Sequence, residues 1–210
     1  MWLGSLGSIE PISAAWGYDR GLPVDRWYIE RFLDEHRGDV TGRVLEVKDS
    51  GYTERFGHGV TERAVLDIDA SNPRATHVAD LASGEGLASR AFDCFVLTQT
   101  LQYVFEFHAA IATIHRLLRP GGVLLATVPV VSRVTDPPLT DLWRFTPLGL
   151  RQSLAQSFGQ DHVEVSAHGN VLTQVAFLAG LAAEDLTEDE LAADDPRFPL
   201  IACARAWREA

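Results

Sequence analysis

The sequence is poor in cysteine and has neither a long apolar run nor a strongly basic stretch. Its two cysteines, Cys94 and Cys203, form no C-x-x-C pair and no Cys/His cluster at zinc spacing, so no metal site is predicted. Both lie in apolar, strand-like runs, which predicts two buried thiols in a reducing compartment. No apolar run approaches the roughly 18 residues of a membrane span.

An excess of positive charge is also missing. The chain carries 18 basic and 29 acidic residues, a formal net charge of −11. Bare nucleic acid and anionic membrane surfaces are bound through a positive footprint, so neither is expected as a partner. The first residues lack the basic character of a signal peptide. We therefore expect a soluble cytoplasmic protein, as a monomer or homodimer.

Several catalytic motifs are absent. The sequence contains no G-x-S-x-G elbow, P-loop, H-E-x-x-H or EF-hand pattern, which removes the common hydrolase, NTPase and metalloprotease interpretations. A nicotinamide-dependent oxidoreductase is a weaker alternative, because the first strand is not followed by G-x-G-x-x-G. Reduced-nicotinamide fluorescence on mixing would test it.

What the sequence does contain is an alternation of strand-like and helical segments. With 210 residues, 46% of them apolar, residues 1–210 can form one α/β domain with a substantial core. Residues 1–23 are expected to form an N-terminal arm, and residues 130–145, with Pro137 and Pro138, a lid loop. The predicted strands are 43–47, 64–68, 77–78, 92–97, 123–128, 163–165 and 199–207, and the predicted helices are 24–37, 105–118, 147–158 and 174–183.

The first strand and its turn read GRVLEVKDSGY from Gly42 to Tyr52. A short apolar strand that carries one acid, Glu46, and runs into a turn is typical of the start of a Rossmann-like sheet. Turns that bind a cofactor usually contain glycines, because the backbone must approach the ligand closely. Here only Gly51 is present, out of register, and Lys48 stands where a glycine is expected.

Five segments in combination resemble the class I S-adenosylmethionine-dependent methyltransferases, in particular the small type 11 methyltransferase-domain proteins. The resemblance covers roughly residues 25–158 and implies a Rossmann-like seven-stranded, mostly parallel sheet with helices on both faces and an antiparallel last strand. A further segment, DLWRFTPLGLRQSL, resembles one found in members of this group that take part in sugar or cell-surface chemistry. The five segments are LEV (45–47), LDID (66–69), VADL (78–81), FDCFVLTQTLQYV (92–104) and HRLLRPGGVLLATVP (115–129).

The resemblance and the strand ends together imply a site for S-adenosylmethionine. Asp69 ends the second strand and is expected to accept hydrogen bonds from the ribose hydroxyls, or else only to cap the turn. Asp80 is expected to bind the adenine amino group, with the Leu81 amide at the ring; an exposed turn aspartate is the alternative. Glu46 would orient the loop and approach the methionine ammonium, and Thr98 follows the fourth strand.

Lys48 departs from the family pattern and leaves three outcomes open. Its side chain swings out and pairs with Glu46 or Asp49, or it fills the pocket and abolishes binding, or it signals a different, anionic ligand.

The methyl acceptor is expected beyond the fourth strand and under the lid. Polar or aromatic side chains in these places suit substrate orientation, although each could instead cap a helix or anchor a loop. His108 and Asp141 are the predicted catalytic residues, His108 as a general base. The predicted substrate residues are Gln99, Gln102, Tyr103, Trp143, Arg144, Arg26 and Tyr28.

The sequence therefore predicts methyl transfer from S-adenosylmethionine to an oxygen or nitrogen of a small molecule, such as a sugar or secondary metabolite. The alternative is a methyltransferase-like binding or regulatory protein that lacks turnover because of the altered loop at Lys48.

Overall fold

Seven strands form one sheet in the computed structural model, which describes residues 9–135 and 141–210. Their spatial order is β3-β2-β1-β4-β5-β7-β6. The strands are β1 (Gly42–Val47), β2 (Val60–Asp67), β3 (His77–Val78), β4 (Phe92–Thr98), β5 (Leu118–Pro129), β6 (Val163–His168) and β7 (Ile201–Trp207).

The strand directions confirm the predicted seven-stranded, mostly parallel sheet with an antiparallel last strand. Strand β1 pairs in parallel with both β2 and β4, and β4 pairs in parallel with β5. Strand β7 runs antiparallel to its neighbours β5 and β6. The strand order reverses between β1 and β4, and ligands of open α/β sheets bind beyond the carboxyl ends of the strands at such a point.

Helices cover both faces of the sheet. Helices α1 and α5 contribute to the apolar core on one face, and α3 and α4 to the core on the other. The helices are α1 (Val24–Glu35), α2 (Gly51–Phe56), α3 (Phe107–Leu117), α4 (Pro147–Phe158), α5 (Val171–Ala179) and α6 (Glu188–Ala192).

Successive residues of the central strands supply the two cores in turn. In β1, Val44 packs with α1 on one face, whereas Leu45 packs on the other. In β4, Cys94 joins the core of Val44, and Phe95 joins that of Leu45. Side chains alternate across a strand, so a sheet covered on both faces needs near-continuous apolar strands.

Helix α4 has the predicted bounds, and its start follows from two residues. Thr146 Oγ1 accepts a hydrogen bond from Gly149 N at 3.1 Å, and Pro147 occupies the first turn. Helix α5 instead begins at Val171, three residues before the predicted start, because Asn170 and Thr173 form a reciprocal capping box. It ends before Gly180, which adopts a left-handed conformation with φ +77°.

Both cysteine side chains are fully buried and unpaired, as predicted. Within the described ranges, no group of three His, Cys, Asp or Glu side chains could hold a metal ion. None of the described helices combines the length and the apolar composition of a membrane span.

Candidate functional site

A large cavity lies at the carboxyl ends of β1 to β4, where the strand order predicts a ligand. Its volume is about 780 Å³, which is in the range of small-molecule sites. Five carboxylates and three basic side chains line it. The charged residues are Glu46, Asp49, Asp67, Asp69, Asp80, Arg26, Lys48 and Arg55.

The structure brings all six predicted cofactor residues to this cavity: Glu46, Lys48, Asp69, Asp80, Leu81 and Thr98. Asp69 is exposed two residues beyond the end of β2, and one of its oxygens accepts Ser71 N at 2.8 Å. The Ser71 side chain, and then this backbone hydrogen bond, lower the pKa of the Asp69 carboxyl. Asp80 accepts Ala82 N at 2.8 Å. Ile68, which precedes Asp69, also lines the cavity and is 72% exposed, so it adds an apolar side chain to this wall.

Glu46 fixes the turn after β1. Its carboxylate is 3% exposed and accepts Tyr52 N at 3.1 Å, Thr53 N at 2.8 Å and Thr53 Oγ1 at 2.6 Å. Burial raises the pKa of the Glu46 carboxyl, although the hydrogen bonds from Thr53 and Tyr52 act to lower it. The amides belong to the first turn of α2, a six-residue helix where only a turn was predicted.

Lys48 keeps the backbone conformation that glycine favours. Its φ is +75°, and its N–H donates to Leu66 O at 2.9 Å while its carbonyl accepts Asn72 Nδ2 at 2.7 Å. These bonds hold the left-handed conformation that an L-residue adopts only at a cost.

The Lys48 side chain lines the larger cavity and, among the described residues, pairs with neither neighbouring acid. It is exposed in the cavity wall, and within residues 9–135 and 141–210 its ammonium forms no ion pair. Asp49 pairs with Arg74 at 3.8 Å, and Glu46 binds α2. Of the three outcomes open at Lys48, the pairing with Glu46 or Asp49 is not observed among the described residues.

A smaller cavity of about 360 Å³ adjoins the larger one. Apolar and aromatic side chains from the arm, β5, α5 and β7 supply much of its wall, among them Trp16, Val131, Phe177, Leu200 and Ile201. Five residues line both cavities, and we call them the junction: Tyr18, Arg26, Lys48, Gln99 and Tyr103.

The junction is strained and charged. Gln99, which follows β4 as Lys48 follows β1, also has a positive φ, +47°. Arg26 donates to Tyr18 Oη at 3.1 Å and to Tyr52 Oη at 3.4 Å, and lies 3.9 Å from Asp25. Burial lowers the pKa of its guanidinium, but Asp25 and the two phenols outweigh that effect and raise it.

Four predicted substrate residues therefore lie at the smaller cavity: Gln99, Gln102, Tyr103 and Arg26. Gln102 is 3% exposed, and its Nε2 donates to Gln99 Oε1 at 3.3 Å.

The other predicted substrate and catalytic residues do not line either cavity. Arg144 binds Asp141 at 2.5 Å and donates to Arg133 O at 2.8 Å, while Asp141 also accepts Thr135 N at 3.0 Å. The pair therefore braces the chain after β5. The remainder of the lid prediction, residues 136–140 with Pro137 and Pro138, lies outside the described residues.

Trp143, Tyr28 and His108 also have structural surroundings. Trp143 Nε1 donates to Val104 O at 3.0 Å, and the ring packs on Phe107. Tyr28 is buried under α6, where its hydroxyl donates to Leu191 O at 2.8 Å. His108 is exposed on α3. The structure does not bring these three side chains to the cavities.

Trp16 and Asn72 are among the residues at or beside the site that the sequence does not predict. Trp16 of the arm lines the smaller cavity, and the Arg133 guanidinium lies 3.5 Å from its ring centroid. Asn72 Nδ2 donates to both Lys48 O and Asp67 Oδ2, and hydrophobic periodicity does not predict this role. An Asn-Pro pair such as Asn72-Pro73 favours a turn, but the partner of the Asn72 amide depends on how β1 and β2 align.

Comparisons with known proteins agree with this geometry. Residues 57–126 match the family model described as "Methyltransferase domain". No curated protein sequence matches the chain.

Three solved structures share the fold at low identity. An S-adenosylmethionine-dependent methyltransferase from Mesorhizobium loti is 17% identical, with a TM-score of 0.59, over 91% of this chain and 100% of that one. The [4+2]-cyclase SpnF is 18% identical, with a TM-score of 0.53, over 99% and 91%. Haemonchus contortus phosphoethanolamine N-methyltransferase 2, solved with S-adenosyl-L-methionine, is 13% identical, with a TM-score of 0.59, over 88% and 53%. The chain thus has the class I S-adenosylmethionine-dependent methyltransferase fold.

Proposed function

We propose that the protein transfers a methyl group from S-adenosylmethionine to an oxygen or nitrogen atom of a small molecule. The observation that carries this proposal is the pair of adjoining cavities with a shared junction. Methyl transfer needs two ligands held end to end, with the acceptor atom in line with the methyl group.

The larger cavity suits the cofactor in charge and volume. The sulfonium and ammonium groups are positive, and carboxylates outnumber basic side chains in this wall. We assign Asp69 to the ribose hydroxyls, Asp80 and the Leu81 amide to the adenine, and the exposed Ile68 side chain to the apolar face of the base. When bound, S-adenosylmethionine supplies a methyl group on a good leaving group.

The chain's own contribution is alignment and exclusion of water. Glu46 holds the start of α2 and so shapes the wall beside Lys48. Gln99, Gln102, Tyr103 and Arg26 would orient the acceptor in the smaller cavity. His108 and Asp141 are outside both cavities, and we assign the reaction no base from them.

Calorimetric titration with S-adenosylmethionine and with S-adenosylhomocysteine tests the proposal. We expect micromolar binding of both, and at least tenfold weaker binding by the Asp69→Ala variant, which loses the ribose contacts. Asp161→Ala removes an exposed carboxylate far from the cavities and is the matched control. Absence of heat and of a thermal shift with either ligand would contradict the proposal.

Turnover needs its own measurement, because the fold also occurs in a protein named for a cyclisation. The protein is incubated with labelled S-adenosylmethionine and hydroxyl- or amine-bearing small molecules, and methylated product is sought by mass spectrometry. Cofactor binding without product from any acceptor would favour the binding or regulatory alternative.

A further inference from the structure

The two cavities differ in the sign of their charge. The larger cavity has an acidic wall, whereas the smaller one contains two cationic side chains, Arg26 and Lys48, against one carboxylate, Asp25. Asp25 already lies 3.9 Å from Arg26. One positive charge, that of Lys48, is left without a partner among the described residues of a protein whose net charge is −11.

Resting on the proposed function, we infer that the methyl acceptor is a small monoanion with an apolar body, a carboxylate by chemical class, held at the junction by Lys48 and Arg26. The Lys48 ammonium is exposed in the cavity wall and has no ion-pair partner within the described residues, so it is available to a ligand anion. A single surplus charge suits a monoanion better than a dianion, because opposite charges at close range favour neutral pairs.

The rest of the smaller cavity fits such a molecule. Its apolar wall includes Trp16, Phe177 and Leu200, and its volume of about 360 Å³ holds one ring or a short chain. Gln102 Oε1 is buried in this region and has no hydrogen-bond partner within the described part of the chain. A buried amide oxygen without a donor is costly, so a hydroxyl or amine on the acceptor would satisfy the Gln99–Gln102 amide pair after a small side-chain rotation.

The backbone supports the assignment to Lys48. The hydrogen bonds of Leu66 and Asn72 hold this residue at φ +75°, where glycine would be unstrained. Retaining a long cationic side chain in a conformation that costs stability is consistent with a role in binding.

The rival interpretation is that Lys48 binds the carboxylate of the cofactor itself. The two interpretations, Lys48 binding the acceptor or binding the cofactor, can be distinguished because 5′-methylthioadenosine lacks the cofactor's carboxylate. If Lys48 serves the cofactor, Lys48→Met weakens S-adenosylhomocysteine binding without changing methylthioadenosine binding.

The probes are 4-hydroxybenzoate and its neutral amide, 4-hydroxybenzamide, titrated by calorimetry with and without saturating S-adenosylhomocysteine. We expect the wild-type protein to bind the carboxylate at least tenfold more tightly than the amide. In Lys48→Met that preference should fall below threefold. Arg151→Met removes one exposed positive charge from α4 and should keep the wild-type preference.

A second readout needs no substitution, since Lys48 is the only lysine in the sequence. Reductive methylation with carbon-13 keeps the charge and labels only this side chain and the α-amino group. The carboxylate probe should shift the Lys48 resonance, and the amide should not.

Equal affinity for the two probes, or an unchanged preference in Lys48→Met, would overturn the inference. So would a tenfold loss of S-adenosylhomocysteine affinity in Lys48→Met that methylthioadenosine does not share. Failure of the proposed function is distinct: wild-type protein would then bind no S-adenosylhomocysteine, while the probe comparison without cofactor still reports on the junction.

Discussion

The side-chain amide of Asn72 and the backbone carbonyl of Lys48 are joined by a hydrogen bond of 2.7 Å. The same Nδ2 donates to Asp67 Oδ2 at 2.6 Å, so one amide ties the turn after β1 to the end of β2. The unusual backbone of Lys48 is thus held by a residue far from it in the sequence, and its energetic cost can be measured.

The cost of the left-handed conformation at Lys48 is the first prediction. Lys48→Gly should be more stable than Lys48→Ala by about 1 kcal/mol, because only glycine adopts φ +75° without a clash of Cβ. Urea unfolding at neutral pH measures the difference, and the alanine variant controls for loss of the side chain. Equal stabilities would mean that the conformation carries no strain.

Removal of the Asn72 amide should destabilise the same turn. Asn72→Ala loses both hydrogen bonds of Nδ2, and we expect the free energy of unfolding to fall by about 1–2 kcal/mol. Asn72→Asp should lose more, since it replaces the donor by a carboxylate beside Asp67. A variant as stable as wild type by urea unfolding would show that water replaces both contacts.

The Asp141–Arg144 ion pair should make stability depend on pH. The Arg144 side-chain hydrogen bond lowers the pKa of Asp141, so the folded state binds its proton less readily than the unfolded state. Its stabilisation is present above the unfolded pKa of about 4 and is lost as pH falls through the folded value.

The Asp141→Asn variant should therefore be less stable than wild type at pH 7, and the gap should narrow at pH 3. Urea unfolding at both pH values tests this sign. A gap that widens on acidification would contradict the lowered pKa.

The two thiols should be unreactive in the folded protein. Cys94 and Cys203 are fully buried, and burial raises the pKa of both thiols, which suppresses the reactive thiolate. A thiol reagent such as Ellman's should titrate neither cysteine in native protein and both in guanidinium chloride. Rapid reaction of one thiol without denaturant would indicate local opening of the sheet at that strand.

The strand ends could be predicted from the sequence because they depend on local patterns. An apolar run followed by an acid places Asp69 and Asp80 at the edge of any parallel sheet, and both line the larger cavity. Thr146 and Pro147 together predict the start of helix α4. Helix α2 was missed because its six residues are too few to display a helical period.

Side chains on loops could not be assigned in the same way. Trp143 and Arg144 have the chemistry of a ligand clamp, but Arg144 contacts Asp141 and backbone carbonyls, and Trp143 contacts Val104. Tyr28 lies on α1 near the arm, but its side chain contacts α6, where its hydroxyl donates to Leu191 O. Such partners are set by tertiary packing between distant segments, which a single sequence does not reveal.

The two cavities are built from very different stretches of chain. Apart from Tyr18 and Arg26, the larger one draws its wall from residues 46–104, whereas the smaller one draws on positions from Trp16 to Ile201. Under the proposed function, the cofactor would therefore contact one compact stretch of chain, whereas the acceptor would contact segments that lie far apart in the sequence. A protein engineer could diversify Trp16, Val131, Phe177 and Leu200 to change the acceptor without touching that stretch.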